Sequence, residues 1–427
     1  MKFVRRTLSL SPLTNRSIPA EIWRDQNSVF MKKRDEEGTE YTAMVENDWE
    51  MYRLRCTPTV YEQIEYKGGI VYFTTRCNMN CPMCYEALMP DKSGELSLEE
   101  LDSFVSRYKG KYFALGGREP TVRKDLPDAI RVIEKKNGAY LMSNGIRLAD
   151  PDYCRELKKA GLRQVSFQFY GFDEDYYIKI TGRPLIETKM RALENLKSAG
   201  IDTRLSITLS HGSNDGELGN IFDYVGKNRD FINTLSIRSA AAMGRHQDVK
   251  HLTITDLVGL ICEQVGFERE HILRELELHR LLGEVLGKSI FYPKVCTMLF
   301  HARQDENGRW YAIGRDIDLS RIKSGPLLYP TLAAEIGRVF GAGFYLKHFR
   351  NRLSGQLTDI PGAVRVFLKS WPTIYNIDML EMNKCATAYY RGGITRPFCV
   401  MNVIESNNTA EDFRPIPSSF ITITPSE

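Results

Sequence analysis

Apolar positions change their spacing in a regular way between residues 68 and 290. Short runs of β-branched and aromatic residues, typical of buried strands, alternate with segments in which apolar residues recur every three or four positions, typical of amphipathic helices. The runs predict six strands at residues 70–75, 112–115, 139–142, 164–169, 203–209 and 235–239. The intervening segments predict helices that begin near residues 97, 126, 150, 186, 218 and 255. The first of these helices opens with Ser97 and Glu100 at the spacing of a capping box.

Strands that alternate with helices predict an α/β fold with a parallel sheet and right-handed crossovers. Six units are too few for a closed eight-unit barrel, so we expect a partial (β/α)6 TIM-like barrel over residues 66–290. Residues 1–65 form an N-terminal segment whose sequence indicates no function. Residues 291–427 lose the alternation and predict a C-terminal extension that covers the open barrel. We expect the chemistry at the C-terminal ends of the strands.

The composition argues against several classes of function. The 427 residues include 58 Lys and Arg and 54 Asp and Glu, a balance that gives no support for a nucleic acid partner. The most apolar stretch, residues 327–349, is interrupted by Pro330, Glu335, Arg338 and Lys347, so it does not predict a transmembrane segment. No apolar stretch follows the basic start of the chain, so we expect no secretory signal and a cytoplasmic location.

Three of the nine cysteines, Cys77, Cys81 and Cys84, lie within eight residues directly after the first predicted strand. Three thiolates at this spacing can ligate three irons of a four-iron cluster, which leaves the fourth iron open to a small chelating ligand. The alternatives are a zinc site and a chance grouping. Structural zinc usually takes four protein ligands, and the nearest histidine in the sequence is His211. The spacing therefore favours an iron–sulfur cluster.

This CxxxCxxC spacing resembles the motif of the radical S-adenosylmethionine (SAM) superfamily. The resemblance implies a [4Fe–4S] cluster whose open iron binds the amino and carboxylate groups of SAM. An electron from the cluster would break a C–S bond of SAM, and the resulting 5′-deoxyadenosyl radical would abstract hydrogen from an unactivated carbon. The resemblance also implies an external electron donor such as a flavodoxin or a ferredoxin. Met83 stands where many members have an aromatic residue near the adenine, a place that an apolar, polarizable Met can fill.

The second and third predicted strands end in elements that resemble SAM-binding parts of the superfamily. The run from Gly117 to Thr121 resembles the GGEPT element, with Arg118 in place of its second glycine. Glycine lets the backbone approach a ligand closely, and an acidic group such as Glu119 can balance the ammonium of SAM. Ser143 and Asn144 resemble polar residues that lie near the ribose or the carboxylate. A simple polar turn is the alternative for both elements.

The later strands carry weaker elements of the same kind. Ser166 and Gln168 share one face of the fourth strand, because side chains alternate along a strand, and they resemble a Ser-x-Asp-Gly pattern with altered positions. Arg183 can hold a carboxylate through two hydrogen bonds, or it can be an ordinary surface arginine. The run Met243-Gly244-Arg245 resembles a Gly-Arg element found after the sixth strand in relatives.

The C-terminal extension contains Cys296, Cys385 and Cys399, which predict either a second iron–sulfur cluster or three buried thiols. Residues 376–399, with an Asn-x-Asp element and a Pro-Phe-Cys run, resemble the tail of the subgroup that contains tetraether lipid synthase and a radical pterin methyltransferase. That resemblance implies C–C bond formation or C-alkylation of a lipid or a small metabolite. The basic run at 347–352 is either a lipid headgroup contact or a solvated helix end.

Three residues are candidates for a base or a radical quencher, namely Tyr170, Tyr389 and Cys296. Two other functions stay open. A peptide-modifying enzyme of the same superfamily would need a peptide-docking helical module, and residues 1–65 show no clear helical pattern. A non-catalytic iron–sulfur or zinc protein would not need the elements around Glu119 and Asn144.

Overall fold

The structure, a computed structural model, describes residues 1–56, 68–84, 86, 95–107, 112–136, 138–241, 250–286, 296–341, 360–383, 385 and 387–406. Its N-terminal part is an antiparallel sheet in the order β1 (Lys2–Leu10), β2 (Ser17–Asp25), β3 (Ser28–Arg34) and β4 (Glu40–Glu46). Helix α1 (Trp49–Arg55) follows, and the Asp48 side chain accepts a hydrogen bond from the backbone N–H of Met51 at its start.

The six predicted strands are present, and each pairs in parallel with the next. They are β5 (Gly68–Thr74), β6 (Tyr112–Gly117), β7 (Gly138–Ser143), β8 (Gln164–Phe169), β9 (Asp202–Leu209) and β10 (Ile232–Ser239). The helices between and after them are α2 (Leu98–Arg107), α3 (Leu126–Glu134), α4 (Pro151–Lys159), α5 (Glu174–Thr181), α6 (Ile186–Ser198), α7 (Leu218–Lys227), α8 (Ile254–Val265) and α9 (Arg269–Leu286). The predicted α/β fold with a partial TIM-like barrel is confirmed.

The C-terminal segment adds strands to both edges of the barrel sheet. The sequence predicts it only as an extension that covers the open barrel. Its elements are β11 (Thr297–Gln304), β12 (Trp310–Ala312), α10 (Leu328–Phe340), β13 (Val364–Lys369), α11 (Met379–Met382), β14 (Thr387–Arg391), β15 (Ile394–Pro397) and α12 (Phe398–Ser406). Strand β13 adds in parallel to β10, and β14 adds in parallel to β5. Strands β11, β12 and β15 pair antiparallel outside them.

The two faces of the barrel strands differ in polarity. Outward-pointing residues such as Val71, Phe73 and Leu115 pack against the helices in the largest apolar core. Inward-pointing residues of β8 and β9, such as Gln168 and Thr208, are polar and line a cavity. Because side chains alternate along a strand, one sequence pattern builds the core on one side and the polar interior on the other. Within the described ranges, the helices are too short or too polar to cross a membrane.

Buried polar contacts join the N-terminal sheet to the C-terminal segment. Asp378 accepts hydrogen bonds from Arg5 at 2.5 Å and from the Thr7 hydroxyl at 2.6 Å. The Lys33 ammonium donates to the carbonyl oxygens of Leu10 and Ile374. Because buried polar groups need partners, these contacts fix the position of the small sheet.

Candidate active site

A cavity of about 580 Å³ opens at the C-terminal ends of the barrel strands. Cys77, Cys81 and Cys84 all line it, so the structure brings the three predicted metal ligands to one cavity. Active sites of barrel folds lie at the C-terminal ends of the strands.

The cysteine loop follows β5 and is held at its base by the neighbouring strand ends. The backbone N–H of Arg118 donates to the carbonyl of Thr74 at 3.1 Å, and that of Glu119 donates to the carbonyl of Arg76 at 3.1 Å. The hydroxyl of Thr74 donates to Glu95 at 2.7 Å. These bonds connect the start of the cysteine loop to the end of β6, so the two predicted elements form one unit.

The cysteine sulfurs suit a cluster better than a single ion. Burial raises the pKa of both the Cys77 and the Cys81 thiol to about 11, so without metal they are protonated near neutral pH. In the described part of the chain, the one trio of His, Cys, Asp or Glu ligands that converges within 4.8 Å lies elsewhere. The three sulfurs therefore do not all lie within 4.8 Å of one another, a spacing that a cluster can bridge through separate irons.

Glu119 is buried directly behind the cavity wall and does not line the cavity. Its carboxylate accepts hydrogen bonds from the hydroxyl of Ser143 at 2.8 Å, the backbone N–H of Asn144 at 2.6 Å, and both the hydroxyl and the N–H of Thr121. Burial raises the pKa of Glu119, and these hydrogen bonds oppose that rise. Through these bonds Glu119 holds the end of β7, and its contact with the ammonium of SAM stays a prediction.

Lys189 is a second buried charged group behind the cavity wall, and it belongs to none of the sequence motifs. Its ammonium, on α6, donates to the carbonyl oxygens of Asn144 at 2.5 Å and Gln168 at 2.8 Å. Burial lowers the pKa of Lys189 to about 7, although the charges of Glu119 and Cys81 act in the opposite direction. Lys189 thus ties together the ends of β7 and β8, whose side chains face the cavity.

Lys189 makes stability depend on pH with a predictable sign. Its pKa is lower in the folded than in the unfolded chain, so between pH 7 and 10 the unfolded state binds more protons and stability rises with pH. We expect the free energy of unfolding of the wild type, relative to that of Lys189→Met, to grow by about 1 kcal/mol per pH unit from pH 7 to 9. Urea unfolding followed by circular dichroism at the two pH values measures this difference. A difference that stays constant or shrinks would contradict the assignment.

Most predicted cofactor-binding residues face the same cavity. Those that line it are Met83, Gly117, Ser143, Asn144, Ser166 and Gln168. The side-chain amide of Asn144 donates to Asn78 at 2.8 Å, which connects β7 to the cysteine loop. Arg183 is exposed and does not line the cavity, because the turn after α5 directs it to the surface. The run 243–245 and the basic run 347–352 lie outside the described residues.

The three candidates for a base or a radical quencher have different surroundings. Tyr170 lines the cavity, and burial raises its pKa well above the usual value, so its hydroxyl stays protonated. Tyr389 is buried behind the wall with its hydroxyl 3.5 Å from Glu86, and it packs edge-on against Tyr72. Cys296 is buried and, like Tyr389, does not line the cavity.

The C-terminal thiols come close together without forming a compact trio in the described residues. Cys296 and Cys399 share a hydrogen bond that, together with burial, raises the pKa of Cys296, and the charge of Cys385 adds to the rise. Cys296 and Cys399 belong to one buried apolar cluster. A second iron–sulfur cluster at these three cysteines stays a prediction.

The cavity is also lined by residues that no sequence motif indicates. The cavity lining includes Arg238 at the end of β10, Trp371 after β13 and Asn402 on α12. Asn402 is fully buried, and neither amide atom has a hydrogen-bond partner in the described part of the chain. Because a buried amide without partners is costly and Asn402 lines the cavity, its amide is a candidate contact for a ligand. Its place could not be read from the sequence, since only the fold brings α12 to the barrel.

Comparisons with known proteins agree with this geometry. The family model described as "Radical SAM superfamily" matches residues 71–225. The 7,8-dihydro-6-hydroxymethylpterin dimethyltransferase of Methanocaldococcus jannaschii is 29% identical over 300 residues, which are 62% of this chain and 59% of the relative. The probable GTP 3′,8-cyclase of Pyrococcus abyssi is 28% identical over 184 residues, which are 42% of this chain and 60% of the relative. The chain thus spans about three fifths of the length of these curated relatives.

Solved structures show a more distant likeness. Streptococcus suis SuiB bound to S-adenosylmethionine has a TM-score of 0.40 and 16% identity, over 46% of each chain. The radical S-adenosylmethionine methyltransferase TsrM from Kitasatospora setae, with cobalamin and a [4Fe-4S] cluster bound, has a TM-score of 0.32 and 14% identity, over 48% of this chain and 46% of that one.

Proposed function

Since this chain is an enzyme of the radical SAM superfamily, which uses a [4Fe–4S] cluster and SAM, we propose that it forms a C–C bond or alkylates a carbon of a small metabolite. The observation that carries this proposal is the position of Cys77, Cys81 and Cys84 in one cavity with the polar strand ends. The cavity is also lined by residues of the C-terminal segment, which leaves a separate wall for a substrate.

The residues present fit the cluster and SAM. Cys77, Cys81 and Cys84 would ligate three irons, and the bound cluster would supply the electron that splits SAM into methionine and a 5′-deoxyadenosyl radical. The backbone at Gly117 offers a close approach for the methionine part, because no side chain stands there. The Ser143 hydroxyl and the backbone N–H of Asn144 donate to Glu119, and the side-chain amide of Asn144 donates to Asn78. These bonds hold both side chains at the cavity, where they are preorganised for a polar ligand.

The substrate would lie against the part of the cavity wall that Arg238, Trp371 and Asn402 form. Trp371 offers an aromatic face, Asn402 offers an amide donor and acceptor, and Arg238 offers a positive charge. These groups suit a flat polar heterocycle better than an alkyl chain, since a lipid tail would leave the Asn402 amide unpaired. The printed name of the pterin dimethyltransferase supports a pterin-like substrate as the first one to test.

An electron donor and a second cluster belong to the same proposal. Reduction of the cluster needs an external one-electron donor, such as a flavodoxin or a ferredoxin. A second iron–sulfur cluster at Cys296, Cys385 and Cys399 is proposed because Cys296 and Cys399 share a hydrogen bond within one buried apolar cluster.

An anaerobic assay tests the proposal in two stages. The full chain is reconstituted with iron and sulfide, reduced with dithionite and mixed with SAM, and 5′-deoxyadenosine is measured. We expect about four irons per chain for one cluster or about eight for two. Addition of 7,8-dihydro-6-hydroxymethylpterin should speed nucleoside formation and give a pterin with an added methyl group. A second molecule of SAM would donate the methyl group and leave as S-adenosylhomocysteine, and dithionite would supply the electrons for both steps.

The outcomes of the two stages are separable. If the iron-loaded chain formed no 5′-deoxyadenosine, the assignment of radical SAM chemistry to this cavity would be wrong. If the nucleoside formed but the pterin gained no carbon, only the assignment of a pterin substrate would be wrong. Modification of a peptide in its place would favour the alternative of a peptide-modifying enzyme.

A further inference from the structure

Three potential metal ligands meet away from the cavity that contains the cysteine loop. Glu275 and His279 lie four positions apart on α9, so they share one face of the helix. His301 comes from β11 and faces them. Their ligand atoms all lie within 4.8 Å of one another, and none of the three residues lines the cavity.

The contacts within this trio are close and specific. The ring atom Nδ1 of His301 lies 2.6 Å from Oε1 of Glu275, and Nε2 of His279 lies 3.8 Å from the same oxygen. The two imidazole rings are inclined at 78° with centroids 6.3 Å apart, so they converge at an angle and do not stack. Glu275 is 2% exposed and His301 is 7% exposed. The trio is therefore shielded from bulk water.

The protein holds the trio on a rigid support. The backbone N–H of His301 donates to both carboxylate oxygens of Glu275, at 3.1 and 3.0 Å, which fixes the orientation of the carboxylate. Gly314, in the 3₁₀ turn Ile313–Asp316, packs its backbone directly on α9. A Cβ atom at Gly314 would lie 1.8 Å from the carbonyl oxygen of His271 and 3.0 Å from the backbone nitrogen of Glu275. This close packing leaves α9 little freedom to move relative to β11.

We propose that Glu275, His279 and His301 bind one divalent first-row transition ion such as Zn²⁺. Two imidazole nitrogens and one carboxylate oxygen form a donor set that Zn²⁺ takes in proteins, with water in the fourth position. The ion would join α9 to β11 across the intervening residues 287–295, so part of its binding energy would stabilise the fold. This role is separate from the chemistry of SAM.

The alternative is a metal-free pair between the Glu275 carboxylate and a protonated His301. That pair also satisfies both groups, and it requires nothing of His279. The two readings therefore differ in the number of bound ions and in the role of His279.

Zinc content distinguishes the two readings. The full chain is purified anaerobically, stripped with a chelator, equilibrated with Zn²⁺ and desalted, and zinc per chain is measured by mass spectrometry. We expect Glu275→Gln, His279→Asn and His301→Asn each to bind one Zn²⁺ per chain fewer than the wild type. His271→Asn, on the same helix and outside the trio, is the matched control and should bind as much as the wild type. Zinc bound by the cysteines cancels, because all these chains keep the same thiols.

Thermal unfolding gives an independent second measurement. Zn²⁺ should raise the Tm of the wild type and of His271→Asn by several degrees more than that of the ligand variants, because the ion binds only the folded site. His279→Asn alters the most accessible ligand and keeps the test valid if a buried variant fails to fold. Equal zinc content in the wild type and in every folded ligand variant would overturn the proposal. Formation of 5′-deoxyadenosine plays no part in this test.

Discussion

Cys81→Ala should lose reductive cleavage of SAM, so that 5′-deoxyadenosine falls below detection after reconstitution and reduction. Cys81 lines the cavity between Cys77 and Cys84 along the loop, and each of the three would ligate a different iron. With only two thiolates left, the cluster loses a protein ligand and a second iron becomes open. We expect the iron content to fall from about four per chain to near zero at this site. Cys77→Ala and Cys84→Ala should behave in the same way.

Cys262→Ala is the matched control for this experiment. Cys262 is half-buried on α8 and packs against the apolar core, and it does not line the cavity. Its replacement should leave iron content and nucleoside formation unchanged within error, at a modest cost in stability. Full nucleoside formation by Cys81→Ala would contradict the assignment of the cluster ligands. A parallel loss in Cys262→Ala would indicate unfolding rather than loss of a ligand.

The barrel and the cysteine loop could be predicted because both are local in sequence. Strand β8 needs only the six residues from Gln164 to Phe169 to show its pattern, and the three cysteines lie in one loop. Helix α5 was not predicted, because it has only eight residues, too few for its buried residues Tyr177, Ile180 and Thr181 to establish a helical period. Strands β13 and β14 were not predicted to join the sheet, since their partners are more than 100 residues away.

The supporting groups of the site could not be predicted, because they act through distant contacts. The sequence suggests Glu119 as a partner for an ammonium, and only the fold shows that its carboxylate accepts hydrogen bonds from Ser143 and Asn144. Lys189 lies on α6 at helical spacing from the buried residues Ala192 and Leu193, so the pattern places it on the buried face, but the pattern does not show which carbonyl groups its ammonium contacts. Asn402 reaches the cavity only because α12 packs beside β14. Sequence motifs thus locate the residues that face a ligand better than the residues that hold them.

The two adjacent glycines at the end of β6 differ sharply in what a side chain would meet. Gly117 has a φ of +99°, and a Cβ atom there would lie 2.5 Å from the carbonyl oxygen of Thr74 and 3.1 Å from its nitrogen. At Gly116 a Cβ atom would meet side-chain atoms instead, Cγ2 of Ile70 at 3.0 Å and Sδ of Met142 at 3.4 Å. Side chains can shift by a few tenths of an ångström, whereas the paired backbone of β5 cannot move without breaking the sheet.

Gly117→Ala should therefore damage both the fold and the binding of SAM. The positive φ alone costs about 1–3 kcal/mol for a residue other than glycine, and the overlap with Thr74 adds to that cost. The carbonyl of Thr74 accepts the hydrogen bond from Arg118 that connects the cysteine loop to β6, so its displacement moves the proposed cluster ligands relative to the backbone that we propose binds SAM. A misplacement of about 1 Å lowers the rate by as much as roughly 100-fold. We expect a lower Tm, a higher KM for SAM and slower formation of 5′-deoxyadenosine.

Gly116→Ala separates this backbone effect from a general intolerance of the strand end. It adds the same methyl group one position earlier, against Ile70 and Met142, so we expect its Tm and its KM for SAM to stay close to those of the wild type. Both variants are measured by thermal unfolding and by the initial rate of nucleoside formation over a range of SAM concentrations. If the two substitutions were equally harmful, the left-handed backbone at Gly117 would not be the cause. If both were harmless, β5 and β6 would have to separate more easily than a paired parallel sheet allows.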